Sequence, residues 1–304
     1  MTGKHILMHK NKKVATCSFD KDGYLKQLYD IHNEEHFPVM AQKNPLQGLQ
    51  QWIVSRLPGK GRADLARLKA FYGMESIVSP HAASLFDAYW FKAAEDNTTW
   101  DDINFFRRFD NRTDGIETLL FRQGNMSRYS LNVDSPNLTI PGNKERYWLK
   151  QNNKLYLIYK DAQAEMADYK KVVKNFATIG RTIDLPGNNG FNSTTKEFHQ
   201  NELLPREYIL LNDVLFTRIP VETSEHIERI PLEEYYIVTD KSKNKSKVQN
   251  LIQCCEQFKL PNYRTFFSLI ADYDDAIGLE ERELSDVGVL RNVETLEILG
   301  FHKL

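Results

Sequence analysis

The chain has 304 residues, 40 of them Lys or Arg and 41 Asp or Glu, with a formal net charge of −1 and 41% hydrophobic residues. This composition is that of an ordinary globular protein and excludes a disordered or fibrous chain. A near-neutral chain has no global field that attracts nucleic acid or an anionic membrane, so such binding would need a local basic patch. The length allows two or three packed units.

The cysteines and the hydropathy bear on the cellular compartment. Cys17, Cys254 and Cys255 form neither a disulfide framework nor the Cys-x-x-Cys pair of a zinc site. The first 13 residues lack the apolar stretch of a signal peptide, and nowhere do about 18 apolar residues follow one another. We therefore expect a cytoplasmic protein with reduced thiols, neither exported by that route nor embedded in a membrane.

The first third of the chain predicts a hairpin followed by two helices. Residues 13–19 and 24–31 alternate apolar and polar side chains on either side of Asp22-Gly23, a strong turn signal. Helical spacing then runs from 48 to 72, with a break at Pro58-Gly59. The basic residues of this helical pair favour a solvated helix face over contacts with phosphate; they are Lys60, Arg62, Arg67 and Lys69.

The middle of the chain is rich in strands. Its aromatic stretch over 89–106 predicts burial, as a packing seam between the first unit and the next. The patterns then predict, in chain order, a hairpin over 147–160 turning at Asn152-Asn153, a helix over 162–179, a loop over 185–195 and two strands over 208–221 turning at Asn212-Asp213.

The last part predicts mainly helices. The basic, polar segment 240–247 favours a solvated hinge over a nucleic-acid contact. Helices are predicted over 248–258 and 263–277, and two short strands over 287–299 that close around Asn292. This order of elements predicts an α+β fold without regular βαβ alternation.

Eight strings stand out when the chain is read from end to end: Leu7–Ala15, Asp22–Tyr24, His36–Val39, Ser84–Lys92, Trp100–Phe106, Ser135–Thr139, Cys254–Glu256 and Gly288–Glu297. In this order they resemble the HipA-like serine/threonine kinases, of the branch found in Gram-positive chromosomes and mobile elements. The resemblance implies a kinase-like fold with a small N-terminal α/β subdomain at 1–92, a β-rich nucleotide lobe at 93–238 and a truncated helical C-terminal lobe at 239–304.

The resemblance also implies where the parts of a phosphoryl-transfer site lie. Gly142 and Lys144 fall at the phosphate loop, where a turn with a solvated lysine is the alternative. The phosphate-binding lysine of the neighbouring strand is replaced by Tyr159, with Lys160 one residue on and therefore facing the other side unless a bulge intervenes. A helix glutamate that holds such a lysine could be Glu165.

The catalytic loop departs furthest from the resembling family. Glu281 stands at the position of the catalytic Asp, and Asp286 at that of a magnesium-binding Asn. Glutamate is one methylene longer than aspartate, and a displacement of about 1 Å can cost a base roughly 100-fold in rate. A second magnesium-binding Asp, which follows the Thr-Leu-Glu strand in the family, is missing from this sequence.

These departures lead us to expect a pseudokinase that acts by binding a protein partner in a toxin–antitoxin or mobile-element setting. One alternative is an active kinase that transfers the γ-phosphate of ATP with Mg²⁺, using Glu281 as base and Asp286 as metal ligand. Another is a regulatory protein that acts beside a small DNA-binding antitoxin, with nucleic acid bound only indirectly because the chain is near neutral.

Overall fold

A computed structural model describes residues 3–21, 23–71, 81–111, 135–159, 207–211, 214–277 and 282–302. Its first sheet is antiparallel, with the order β3-β2-β1-β4. The four strands are β1 (Gly3–His9), β2 (Lys12–Phe19), β3 (Leu25–Ile31) and β4 (Tyr89–Ala93). The β2–β3 hairpin confirms the predicted one, and Gly23 in its turn has φ +83°. The sequence patterns had not predicted β1.

Two helices lie between β3 and β4 in the chain, as the helical spacing predicted. They are α1 (Pro45–Ser55) and α2 (Leu65–Phe71). In α1, Leu49 and Trp52 are buried in a core with Phe19 and Phe91 of the sheet. Gly48 lets α1 lie against the 3-10 turn Val39–Ala41, because a Cβ at that position would come within 2.5 Å of the Ala41 Cα. We call the sheet and the two helices the N-terminal unit.

The second sheet is also antiparallel and has the order β5-β6-β8-β7. Its strands are β5 (Arg146–Gln151), β6 (Lys154–Tyr159), β7 (Glu207–Leu211) and β8 (Val214–Val221). Both predicted strand pairs are confirmed. Asn152 and Asn153 join β5 to β6 with φ values of +49° and +61°, the conformation of a two-residue hairpin turn. The predicted helix at 162–179 and loop at 185–195 lie outside the described residues.

The third sheet has the order β11-β10-β9, with β9 (Ile227–Pro231), β10 (Gly288–Asn292) and β11 (Ile298–His302). Three helices pack beside it: α5 (Leu232–Val238), α6 (Lys247–Gln257) and α7 (Tyr263–Ile277). The predicted helices α6 and α7 and strands β10 and β11 are confirmed. Strand β9 and α5 had not been predicted. The segment 240–247 joins α5 to α6 at the surface.

The aromatic stretch forms the packing seam that its composition predicted. Two short helices lie in it, α3 (Trp100–Ile103) and α4 (Phe105–Arg108). Trp90 of β4, Trp100 of α3 and Trp148 of β5 are all buried in one apolar cluster, which joins the first sheet to the second. The described residues thus form a mixed α+β fold with antiparallel sheets. Within them, no helix is both long and apolar enough to cross a membrane.

Candidate functional site

The loop that carries Gly142 and Lys144 is docked on the N-terminal unit. The Gly142 carbonyl accepts a hydrogen bond of 2.9 Å from the Gly59 N–H, and the Asn143 Oδ1 accepts one of 3.2 Å from the Gly61 N–H. Gly142 has φ +92°, a conformation that favours glycine. A Cβ on Gly59 would come within 2.1 Å of the Asn143 Oδ1. The turn between α1 and α2 therefore holds this loop in place through two hydrogen bonds.

Tyr159 is the last residue of β6, and two cationic side chains lie over its ring. Its cross-strand partner is Arg146, whose Cζ lies 5.0 Å from the ring centroid. The Lys144 Nζ lies 6.0 Å from the same centroid. Strand β6 pairs with β5 residue by residue from Lys154 to Tyr159, so its alternation of faces is regular up to that point.

Arg229 of β9 lies beside Asp286, which comes shortly before β10 in the chain. The Arg229 guanidinium is buried, and its Nη2 donates hydrogen bonds of 3.0 Å to the Ser285 carbonyl and 3.1 Å to the Asp286 carbonyl. Burial lowers the pKa of Arg229 to about 10; the Asp286 carboxylate opposes this shift, and Arg146 adds to it. Arg229 and Asp286 are therefore electrostatically coupled to each other and to the end of the second sheet.

The structure thus brings Lys144, Arg146 and Tyr159 together, with Arg229 and Asp286 electrostatically linked to Arg146. Within the described part of the chain no cluster of three His, Cys, Asp or Glu side chains could hold a metal ion. The assignment of Asp286 as a metal ligand stays a prediction. Glu281, Lys160 and Glu165 lie outside the described residues.

The most extensive buried polar cluster lies elsewhere, between the N-terminal unit and the third sheet. The His9 Nδ1 is 2.7 Å from the His36 Nδ1, and the His9 Nε2 is 3.0 Å from the Glu228 Oε2. The Lys12 Nζ is 2.8 Å from the His36 Nε2 at the outer end. The side chains of His9 and Glu228 are fully inaccessible to solvent. These four residues form a continuous line from the surface to the interior.

Arg291 closes the inner end of this line. Its Nε donates to the Glu228 Oε1 at 2.8 Å, and its Nη2 donates to the Tyr89 hydroxyl at 3.1 Å. The Tyr89 hydroxyl in turn donates to the His36 carbonyl at 3.0 Å, and its ring lies 4.3 Å from that of His9. We call His9, His36, Tyr89, Glu228 and Arg291, with Lys12 at the surface, the buried network. Every member has at least one partner within it.

The charges of the buried network determine its protonation. Burial and, after it, the neighbouring His9, Lys12 and Arg291 lower the pKa of His36 to about 4, against the opposing effect of Glu228. Burial alone would raise the pKa of Glu228, but Arg291 and His9 lower it to about 2. Burial raises the pKa of Tyr89 far above its usual range. At neutral pH the cluster therefore contains a neutral His36 and a Glu228 carboxylate paired with the Arg291 guanidinium.

Four of the eight strings that carry the family resemblance contribute to this network. Leu7–Ala15 supplies His9 and Lys12, His36–Val39 supplies His36, Ser84–Lys92 supplies Tyr89 and Gly288–Glu297 supplies Arg291. Glu228 belongs to none of the strings. No pattern along the chain marks these residues as a site, although polar side chains that are expected inside strands signal such clusters.

A second buried cluster corrects a prediction about the helical pair. Arg62 was expected on a solvated helix face, yet it is buried and forms a two-pronged pair with Asp64, at 2.5 Å from Nε to Oδ1 and 3.0 Å from Nη2 to Oδ2. The Tyr147 hydroxyl donates to the same carboxylate at 2.6 Å. Arg62 pairs with a nearby acid because a guanidinium enters the interior only with partners for its donors. Lys60 is exposed, as predicted.

A groove of about 630 Å³ opens at the other end of the β5–β6 hairpin from Tyr159. Lys150, Lys154, Glu222 and Glu225 line it together with Phe106 and Tyr156. Its cations and carboxylates are nearly balanced, so its charge does not favour one class of ligand.

Compared with protein-family models, with curated proteins and with solved structures, the chain shows no match.

Proposed function

We propose that this chain is a HipA-like kinase-fold protein that has lost phosphoryl transfer and acts as a pseudokinase, by binding a protein partner in a toxin–antitoxin or mobile-element setting. The observation that carries the proposal is the position of Tyr159. It stands where the resemblance places the phosphate-binding lysine, it is 8% exposed, and its ring packs against Lys144 and Arg146. A phenol there cannot neutralise phosphate charge as an ammonium does.

The neighbourhood of Asp286 supports the same proposal. Kinase chemistry needs at least two oxygen ligands for its magnesium ions, which bridge the β- and γ-phosphates. In the described residues Asp286 lies beside a buried guanidinium, that of Arg229, which donates to the Asp286 carbonyl, and a cation so close disfavours a metal ion there. Glu281 stands where the resembling family has a shorter aspartate. Its carboxylate would therefore be displaced from the position of the catalytic base.

An active serine/threonine kinase is the second candidate, and a specific observation favours it. The Nε atoms of Arg146 and Arg229 are buried without a hydrogen-bond partner among the described residues. Together with Lys144 they form a set of cations whose donors suit a polyanion such as the phosphates of ATP. In that case Arg146 neutralises phosphate charge in place of the displaced lysine, Glu281 is the base and Asp286 is the metal ligand.

Phosphate transfer separates the two candidates. The purified chain is incubated with Mg²⁺ and ATP, and its intact mass is followed for a gain of phosphate. We expect none for the wild type. A gain that disappears in Glu281→Ala and Asp286→Ala, but persists in the matched variant Glu283→Ala on the same loop, would establish the active kinase instead. Glu283 is exposed, so its removal leaves the loop's surroundings intact.

Nucleotide affinity and partner binding complete the test. A thermal-shift titration with ATP measures whether the cations near Tyr159 still bind phosphates. Arg146→Ala should weaken any such binding roughly 10- to 150-fold, since one charge-assisted hydrogen bond contributes about 1.5–3 kcal/mol. The pseudokinase proposal also expects a stoichiometric complex when the chain is purified from its own cells at native expression, measured by light scattering. A chain that elutes alone and transfers phosphate overturns it.

A further inference from the structure

The buried network is the main polar connection between the N-terminal unit and the third sheet. Its histidines come from the N-terminal unit, with His9 on β1 and His36 just before the Val39–Ala41 turn. Its carboxylate and guanidinium come from β9 and β10, where Glu228 and Arg291 are cross-strand partners. A change in the histidines therefore acts on the contact between two separate sheets.

The hydrogen bonds of the network fix the protonation of both rings. The Lys12 ammonium can only donate, so the His36 Nε2 accepts and the His36 Nδ1 carries the proton. That Nδ1–H donates to the His9 Nδ1, and the His9 Nε2–H donates to the Glu228 carboxylate. Each ring nitrogen is then used once, and both rings are neutral.

Every ring nitrogen already takes part in a hydrogen bond, so an added proton would find no acceptor. On the His36 Nε2 it would point at the Lys12 ammonium, and on the His9 Nδ1 it would point at the His36 Nδ1–H. In either case two donors face each other across less than 3 Å, and one hydrogen bond of the line must break. Protonation therefore removes one hydrogen bond from the closed contact and places two donors against each other.

We infer that the buried network is a proton-sensitive latch: uptake of one proton by His36 releases the N-terminal unit from β9 and β10. This inference goes beyond the proposed function and does not depend on it.

The charged groups around the histidine pair favour the same response. Lys12 from β2 and Arg291 from β10 repel an added proton, and Lys10, in the turn between β1 and β2, is paired with Glu294 at 2.5 Å. Glu228 of β9 is the carboxylate that attracts a proton to the pair, and it is already paired with Arg291. Tyr89 of β4 stays a phenol, and Glu234 of α5 faces Arg291 as a buried carboxyl whose pKa is raised to about 8.

The size of the effect follows from the two states. A histidine that is solvated in the open state has an ordinary pKa of 6.5, whereas His36 in the closed state has a pKa of about 4. The open state therefore binds protons preferentially between these values, and the opening equilibrium shifts roughly 30-fold between pH 7.5 and pH 5.0. Stability of the closed contact is fully present above pH 6.5 and is lost as the pH falls.

Opening also affects the strand that carries Arg229. Glu228 and Arg229 are consecutive on β9, so their side chains point to opposite faces of the third sheet. Release of Glu228 from His9 removes one contact of β9, whose next residue, Arg229, donates to the Asp286 carbonyl.

A distance measurement on the full chain tests the latch. The three native thiols are buried, so spin labels can be directed to cysteines introduced at exposed Lys26 on β3 and exposed Glu297 before β11. The distance distribution between Lys26→Cys and Glu297→Cys is measured at pH 7.5 and pH 5.0, with far-ultraviolet circular dichroism at both values. We expect a longer, broader distance at pH 5.0 with unchanged secondary structure.

Two variants and a control test whether protonation of His36 beside Lys12 causes the opening. His36→Asn keeps a donor near the Nδ1 position and cannot titrate, so its distance should not change with pH. Lys12→Met replaces an exposed residue and leaves the protonated His36 Nε2 free to face solvent, so this variant should also stay closed at pH 5.0. His226→Asn, whose side chain is 65% exposed, should open like the wild type. A wild-type distance that is constant to pH 5.0, opening that persists in Lys12→Met, or loss of the helical signal together with opening overturns the latch.

Discussion

Glu228 and Arg229 are consecutive residues of β9, both are buried, and their side chains contact different parts of the molecule. Glu228 binds His9 and Arg291 at the contact with the N-terminal unit, whereas Arg229 binds the carbonyls of Ser285 and Asp286. One short strand therefore links the buried network to the candidate site that contains Arg229 and Asp286.

Removing the charge of Glu228 should strongly destabilise the fold. Glu228→Gln leaves the Arg291 guanidinium buried without its carboxylate, and loss of one partner of a buried ion pair costs about 3–5 kcal/mol. Urea unfolding at pH 7.5 measures the difference. The matched control is Glu225→Gln, whose partner Arg107 is 59% exposed, and we expect a loss of less than about 1 kcal/mol there. Equal losses in the two variants would contradict the dominance of the buried pair.

Asp64 should matter for a different contact, that of α2 with the second sheet. Asp64→Asn leaves the buried Arg62 guanidinium without an ionised partner, so we expect a loss of about 3–5 kcal/mol in the free energy of unfolding. Burial alone would raise the pKa of Asp64, but hydrogen bonds from Arg62 and Tyr147 hold it below 3.8. The stabilisation is therefore present above pH 3.8 and is lost as the pH falls further.

The same measurement checks Asp64 through its pH dependence. The difference between wild type and Asp64→Asn should be constant from pH 5 to pH 8 and shrink in acid. A difference that grows as the pH falls would show that the sign of the shift is wrong.

Glycine at position 59 should be required for docking of the candidate phosphate loop. Gly59→Ala places a Cβ within 2.1 Å of the Asn143 Oδ1, so Asn143 must leave its contact with the Gly61 N–H. We expect a loss of about 1–3 kcal/mol, the usual cost of overpacking a tight contact. Gly61→Ala is the matched control, because its Cβ meets the same atom at 3.3 Å. Thermal unfolding of both variants should place Gly59→Ala clearly below Gly61→Ala.

Glu234 should make the protein less stable in alkali. Burial raises the pKa of this carboxyl to about 8, opposed only weakly by the Met40 N–H at 3.4 Å. Because the folded-state pKa is raised, its stabilising contribution is full below pH 4.5 and declines by up to about 1.4 kcal/mol per pH unit toward pH 8. Glu234→Gln, which stays neutral, should therefore gain on the wild type between pH 5 and pH 8 in urea unfolding. A gap that stays constant over this range would refute the assignment.

The cysteines should be unreactive in the folded protein. Cys17, Cys254 and Cys255 are buried, and burial raises the pKa of Cys17 and Cys255 to about 12. Since the thiolate is the reacting species, we expect a disulfide reagent such as DTNB to label none of them within minutes at pH 7.5 and all three after denaturation. Rapid labelling of one thiol in the native state would show that its segment opens.

The sequence predicted the elements whose signals are local. The Asn152-Asn153 turn, the break at Pro58-Gly59 and the spacing of α6 and α7 all depend on residues close together in the chain, and each was confirmed. Strand β9 was missed because two adjacent residues of its five, Glu228 and Arg229, are charged. Adjacent charges indicate a solvated turn, and only partners far away in the chain make their burial possible.

The candidate site was less predictable than the fold. Gly142, Lys144 and Asp286 were placed through a family resemblance, and the contacts of Tyr159 with Lys144 and Arg146 came from the three-dimensional pairing of β5 with β6. The buried network depends on pairings across more than 200 residues, which no pattern along the chain encodes.

That separation has a consequence for synthesis on the ribosome. His9 bonds to Glu228 across 219 positions and Lys10 to Glu294 across 284, whereas every strand of the first sheet is complete by Ala93. Domains generally fold as they emerge, N-terminal part first. The first sheet is therefore assembled while its partners have not yet been translated, and the line from Lys12 to Arg291 is among the last contacts that the nascent chain makes.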